Sequence, residues 1–211
     1  MNVLRFAIVL VLLATAAVTV ASYPLLPGTV VSHWNAAGDA DGAMPKFWGV
    51  SLIPFLMVGL CGLFFLFPRI DPLRINYKKF QRYYEGFILI LMLFFFAIQL
   101  QIILWGIGIQ LSPNLTIPIL MGALFIYTGF LIEHAEPNWF IGIRTPWTLS
   151  SETVWKKTHA RGSLLFRIAG VVSCSGVLFR EYAIMFILVP VILVSAYTVA
   201  YSYFEFRNER P

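Results

Sequence analysis

The chain has 211 residues, of which 59% are hydrophobic and only 12% charged, with a formal net charge of +5. A soluble domain carries about 25% charged and about 45–50% apolar residues, so this composition excludes a soluble enzyme, a disordered chain and a disulfide scaffold. The mean hydropathy of +0.81 points to a lipid environment, and the excess of 15 Lys and Arg over 10 Asp and Glu reads as the positive-inside bias rather than nucleic-acid binding.

A membrane-crossing helix needs about 20 mostly apolar residues. Taken in order, stretches 6–22, 47–67, 86–108, 116–132, 163–179 and 182–204 qualify. Their apolarity is uniform, whereas a helix on a soluble core shows a polar face. Arg5 before the first run, with Thr19-Val20-Ala21 as a loose cleavage pattern near its end, also suits a signal peptide; an uncleaved span is the reading taken. Arg180 and Glu181 alone separate the last two spans, which predicts a tight helical hairpin. The expected fold is an all-α membrane protein, a six-transmembrane-helix bundle. Three segments are expected: 1–67, 68–115 and 116–211.

Twelve cations (Arg5, Arg69, Arg74, Lys78, Lys79, Arg82, Arg144, Lys156, Lys157, Arg161, Arg207 and Arg210) fall on one face of this layout, against Lys46 and Arg180 on the other. That asymmetry predicts both termini in the cytoplasm and a multi-pass protein of a bacterial or archaeal cytoplasmic membrane. Arg167, just inside the fifth span, is expected to snorkel toward the basic face. Gln99 and Gln101 are the most polar residues of the third span, and interhelical hydrogen bonds explain them. Gly59 with Gly62, and Ala196 with Ala200, are expected to let helices approach closely. Cys61 and Cys174 have no metal or redox spacing and read as small apolar filler.

Two loops carry the information. The outward one, 23–46, has Pro24 and Pro27 to end the first helix, Gly38 and Gly42 for turns, and polar residues His33, Asn35, Asp39 and Asp41 beside Trp34. It reads as a compact cap that presents a binding surface. A calcium or transition-metal site at His33, Asp39 and Asp41 is not expected, because the calcium-loop pattern is too short and lacks its distal Glu. The cytoplasmic loop, 133–162, ends in a helical stretch that Ser150 or Ser151 caps, with Glu152 and Lys156 at i,i+4 spacing. Trp139, Trp147 and Trp155 among Lys and Arg fit the headgroup level, and Arg144 beside Pro146 and Trp147 suits docking or bracing. Between the loops, the basic, aromatic segment 69–85 reads as amphipathic and lipid-facing, or as a docking surface.

At these loops the sequence resembles a known family. The run Ile141-Gly142-Ile143-Arg144-Thr145-Pro146-Trp147-Thr148-Leu149, followed by Glu152-Thr153-Val154-Trp155-Lys156, is similar to the hallmark of the SdpI family of toxin-immunity membrane proteins. Leu26-Pro27, His33-Trp34-Asn35, Gly38, Asp41-Gly42 and Lys46 resemble the DUF1648 segment that commonly precedes it. The resemblance implies protection against a secreted peptide toxin outside the cell. It also implies that a cytoplasmic transcriptional autorepressor is held at the membrane when toxin is present. His33, Trp34, Asn35, Gly38, Asp41, Gly42 and Lys46 would then face the toxin. Asn138, Gly142, Arg144, Thr145, Pro146, Trp147 and Trp155 would face the repressor or transmit the signal. Membrane lipid is the remaining expected partner; no cofactor, no metal and no direct contact with nucleic acid are expected. A small transporter or exporter of a peptide or lipophilic compound is the alternative, and a membrane hydrolase built on His134, His159 and nearby Glu residues is a third reading.

Overall fold

The computed structural model describes residues 2–209; Arg210, counted among the basic-face cations, lies outside them. The elements are α1 (Val3–Ser22), β1 (Thr29–Trp34), β2 (Ala40–Pro45), α2 (Lys46–Ile70), α3 (Tyr77–Gly106), α4 (Pro113–His134), α5 (Pro146–Ser150), α6 (Glu152–Ser175) and α7 (Ala183–Glu209). Six of the helices are long and apolar enough to cross a membrane. At about 1.5 Å per residue, the 20 residues of α1 span the roughly 30 Å of a bilayer core. Helices are the solution because hydrocarbon offers no water to exposed backbone amides.

Two helices begin well before their apolar runs. α3 begins at Tyr77 and absorbs most of the basic segment, bending at Phe80 where φ is −122° and ψ is 17°. α6 begins at Glu152, with Ser151 accepting from the Val154 amide as its cap. Tyr77, Phe80 and Tyr84 are buried with their rings packed together, so this side of the segment faces protein rather than lipid.

The helices pack as two groups of three. α1 and α2 lie on α3, while α6 lies on α4 and α7; the contact of α3 with α4 joins the groups. The α4–α6 contact is the most extensive, and glycine makes it. A Cβ on Gly122 would sit 2.6 Å from the Gly170 carbonyl oxygen, and one on Gly170 would sit 2.6 Å from that of Gly122. A Cβ on Gly129 would sit 2.7 Å from the Ser163 carbonyl oxygen. These are backbone clashes that no rotamer change relieves. Small residues draw the backbones together where hydrophobicity gives no net drive. The expectation for the other small residues is corrected: Gly59 and Gly62 have nothing within 4 Å of a built Cβ, and Ala196 and Ala200 are exposed. Helical spacing marks a small stripe but not the neighbour that fills it.

Gln99 is fully buried and donates to Thr19 Oγ1 at 2.9 Å and to the Val50 carbonyl at 2.9 Å, so one amide ties α3 to α1 and α2. Arg167 reaches back along α6 to Ser163 Oγ at 2.8 Å and Glu133 at 3.4 Å, toward the basic end.

Replacing Gly170 with Val is expected to destabilise the fold by about 2 kcal/mol or more, the scale of overpacking. Gly59→Val should be close to neutral. Thermal unfolding of the two purified variants in detergent measures the difference.

Candidate functional site

At the end of the bundle opposite the basic loops, residues 29–45 form an antiparallel hairpin in place of an irregular loop. Thr29 pairs with Pro45 and Trp34 with Ala40, and the register shifts on either side of His33. The turn is built by Asn35: its Oδ1 accepts from the Asp39 amide at 3.0 Å, and Gly38 takes a φ of +88°. The hairpin is seated by knobs in glycine notches. Val30 fills the space over Gly49, where a Cβ would lie 2.2 Å from its Cγ2, and Leu26 does the same over Gly106 at 2.3 Å. Trp34 packs edge-on to Trp105 at 5.6 Å.

The expected toxin-facing residues divide by this geometry. His33 and Asp41 are exposed, with Nδ1 and Oδ1 2.5 Å apart. Asn35 and Gly38 form the turn, and Gly42 leaves room for the His33 side chain. Lys46 is a brace: its Nζ donates to the carbonyls of Tyr23 at 2.9 Å and Leu26 at 2.8 Å and lies over the Tyr23 ring. Asn114, at the start of α4, donates to the carbonyls of Ala36 at 3.0 Å and Arg180 at 2.9 Å. One amide therefore holds the hairpin to the second helix group. A cleft of about 390 Å³ runs beneath, between Trp34 and Asn35 on one side and Pro118 and Ile187 on the other. Among the described residues no three His, Cys, Asp or Glu side chains gather as a metal site.

The loop at the basic end is organised by Asn138, whose residue is 0% exposed. Its Nδ2 donates to the carbonyls of Glu136 and Ile141, both at 2.8 Å. Its Oδ1 accepts from the amides of Phe140 at 2.9 Å and Ile141 at 2.6 Å, and from the Tyr77 hydroxyl at 3.3 Å. Asn76 donates to the Pro137 carbonyl at 2.7 Å, and buried Asp71 accepts from the Trp139 amide at 2.9 Å. Three residues at the α2–α3 turn thus clasp a loop that belongs to the second helix group.

Gly142 has a φ of +113°, and a Cβ there would meet His159 Nε2 at 2.4 Å. That nitrogen accepts from the Ile143 amide at 3.1 Å, so the ring's proton sits on Nδ1, which donates to the Trp155 carbonyl at 2.8 Å. The Trp155 ring stacks on His159 at 4.0 Å and donates to the Ala135 carbonyl at 2.8 Å. Thr145 and Thr148 form a reciprocal cap for α5, and Thr145 reaches Ser202 on α7 at 3.0 Å. Trp147 lies edge-on to Tyr203 at 5.1 Å. Arg144 is exposed and donates to the Trp139 carbonyl.

Asn138, Thr145 and Trp155 are therefore inside, and Trp155 is no headgroup anchor. Their effect on a partner passes through the shape of the loop. Arg144, Pro146 and Trp147 provide its accessible surface. The expected Glu152–Lys156 pair is replaced: Lys157 pairs with Glu205 on α7 at 2.7 Å, and Ser151 donates to Glu209 at 2.6 Å. His134 stacks on Tyr83 at 3.6 Å while His159 lies under the Gly142 turn, so each imidazole has a separate structural task. Sequence reasoning missed Asp71, Asn76 and Asn114. Asn114 had a signal, an Asn-Leu-Thr sequon, but that pattern reports a different chemistry.

Comparison with known proteins agrees with the motifs. Residues 134–202 match the model of the SdpI/YfhL protein family, and residues 10–58 match that of DUF1648, a domain of unknown function. Both resemblances read from the loops are borne out. The chain is 29% identical over 119 residues to Immunity protein SdpI of Bacillus subtilis (strain 168), a stretch covering 56% of this chain and 58% of that relative. No solved structure matches the chain.

Asn138→Ala is expected to leave several buried backbone groups without partners, at about 1–3 kcal/mol each. Limited proteolysis should then cut within 135–145 much faster than in the wild type. Trp139→Ala, at a residue 51% exposed, should leave the cleavage rate near the wild-type value.

Proposed function

We propose that this membrane protein, which carries the SdpI/YfhL and DUF1648 segments, protects its cell against a secreted peptide toxin. The printed name of the relative supplies the immunity reading. The observation that carries it to this chain is the placement of the two loops. Each belongs to one helix group and is held by hydrogen bonds to the other, the hairpin by Asn114 and the basic-end loop by Asp71, Asn76 and Tyr77.

The basic end is taken to face the cytoplasm, following the distribution of Lys and Arg, in a bacterial or archaeal cytoplasmic membrane. The hairpin then meets the toxin from outside, with His33 and Asp41 as polar contacts and the cleft by Trp34 receiving an apolar side chain. Signalling is the finer step. A toxin that binds one arrangement of the helix groups more tightly than another shifts their equilibrium, since only differential affinity can do so. A shift at the seam moves the clasped loop and changes the surface of Arg144, Pro146 and Trp147 that a cytoplasmic repressor would meet.

Survival of a toxin-sensitive cell expressing the chain tests immunity. Wild type should protect against a secreted peptide encoded beside its gene. His33→Ala with Asp41→Ala should lower the tolerated dose about tenfold, as the loss of about 1.4 kcal/mol of binding does. Arg144→Ala with Trp147→Ala should leave protection in place and abolish membrane recruitment of the repressor. Failure of wild type to protect, with membrane expression confirmed, would overturn the immunity reading.

A further inference from the structure

A second concave site lies at the basic end, on the side of Tyr77 where α1, α2 and α3 meet. The start of α1, the end of α2 and the start of α3 enclose a groove of about 610 Å³ with Arg5, Arg69, Arg74 and Lys78 along it. Ligand pockets occupy about 300–1,000 Å³. Its one carboxylate is used internally. The Glu85 side chain is 2% exposed, pairs with Arg5 at 2.7 Å, and also accepts from Asn2 and Gln81. Buried Asp71, nearby in the chain, turns its oxygens to the amides of Leu73 and Trp139. Arg69, Arg74 and Lys78 have no acidic partner among the described residues.

The groove therefore carries three uncompensated positive charges beside an apolar wall that includes Phe65 and Tyr84. It sits where the apolar run of α2 gives way to Pro68 and Arg69, the kind of boundary at which cations beside a membrane helix meet lipid phosphates. Free phosphate would satisfy the cations but has no use for the wall. A lipid uses both, since its phosphates meet the cations and its glycerol and upper acyl chain cover the aromatic side. Basic pockets between membrane helices on the cytoplasmic side have this preference.

We propose that this groove is a binding site for an anionic phospholipid. A diphosphate lipid matches three unpaired cations better than a single phosphate does. Occupied, it ties α1, α2 and α3 together at the end where α3 bends.

The test uses the full chain purified in neutral detergent, with thermal unfolding followed as diphosphatidylglycerol, phosphatidylglycerol, phosphatidylcholine or glycerol phosphate is added. The midpoint should rise most with diphosphatidylglycerol, less with phosphatidylglycerol, and stay unchanged with the other two. Arg69→Gln, Arg74→Gln and Lys78→Gln together should weaken the effect about a hundredfold in lipid concentration. Lys156→Gln, Arg161→Gln and Arg207→Gln, an equal loss of charge elsewhere, should not. Should the triple variant fail to fold, Arg74→Gln alone should still lower lipid retention in native mass spectrometry. An equal response to phosphatidylcholine, or an unchanged triple variant, would overturn the proposal. So would a full response to glycerol phosphate, which would make the site one for free phosphate. Arg74-dependent binding of an acidic peptide, with no lipid response, would overturn it in favour of a protein partner.

Discussion

The Asn138 amide is the interaction on which the basic end of the molecule depends. A loop that leaves α4 and packs against the turn of the other helix group has backbone groups with no helical partner, and burying them costs about 1–3 kcal/mol each when they are left unpaired. Asn138 answers this with both ends of its side chain, satisfying four backbone groups and the Tyr77 hydroxyl. The consequences are ordered. With residues 136–141 held, the chain reaches Gly142 with a fixed direction, turns under a positive φ, and delivers the Ile143 amide to His159. Arg144, Pro146 and Trp147 emerge on the surface only because the preceding turn is closed. The accessible part of the hallmark is thus supported by its buried part.

The opposite end is solved differently. There the chain forms a two-stranded hairpin, and two strands alone are marginal in water. Tertiary seating makes up the deficit. Val30 and Leu26 drop into notches over Gly49 and Gly106, Trp34 leans on Trp105, and Lys46 closes the base by donating to two carbonyls. These contacts all fall on the first helix group. Asn114, half-buried at the start of α4, links the hairpin to the second by donating to the carbonyls of Ala36 and Arg180.

Much of this was legible beforehand, and for identifiable reasons. Span number and approximate position follow from apolar length, because lipid imposes one requirement on every spanning segment. Ser151 as a cap and Arg167 as a snorkelling cation follow from local chemistry. What escaped is pairwise. Gly59 and Gly122 are equivalent as letters, yet one faces open space and the other faces the backbone of Gly170. Trp155 resembles an interfacial anchor until its indole is placed against His159 and the Ala135 carbonyl. The hairpin escaped because Val30, His33 and Trp34 do not alternate in a simple apolar-polar rhythm; the register shifts around His33 break the period that a strand would show. Asp71 and Asn76 read as ordinary turn residues, since their partners lie more than sixty residues ahead.

The two ends bear on coupling in unequal ways. At the basic end the link between helix groups is shared among Asp71, Asn76 and Tyr77, so breaking one bond leaves the others to hold register. At the hairpin end the hairpin is tied by the Asn114 amide, whose donors meet Ala36 and Arg180, and α4 is tied to α3 beside it by Thr116 Oγ1 donating to Gln101 Oε1 at 2.6 Å. A ligand entering between the hairpin and α4 would compete with the Asn114 bond directly, while the seating of Val30 and Leu26 would keep the hairpin rigid on α2 and α3. A hairpin rigid on one group and bonded at Asn114 to the other would convert such a contact into relative movement of the groups, because packed interfaces have discrete arrangements rather than a continuum. On this argument a change at the Asn114 seam would disturb such coupling more than a change at the exposed His33–Asp41 pair.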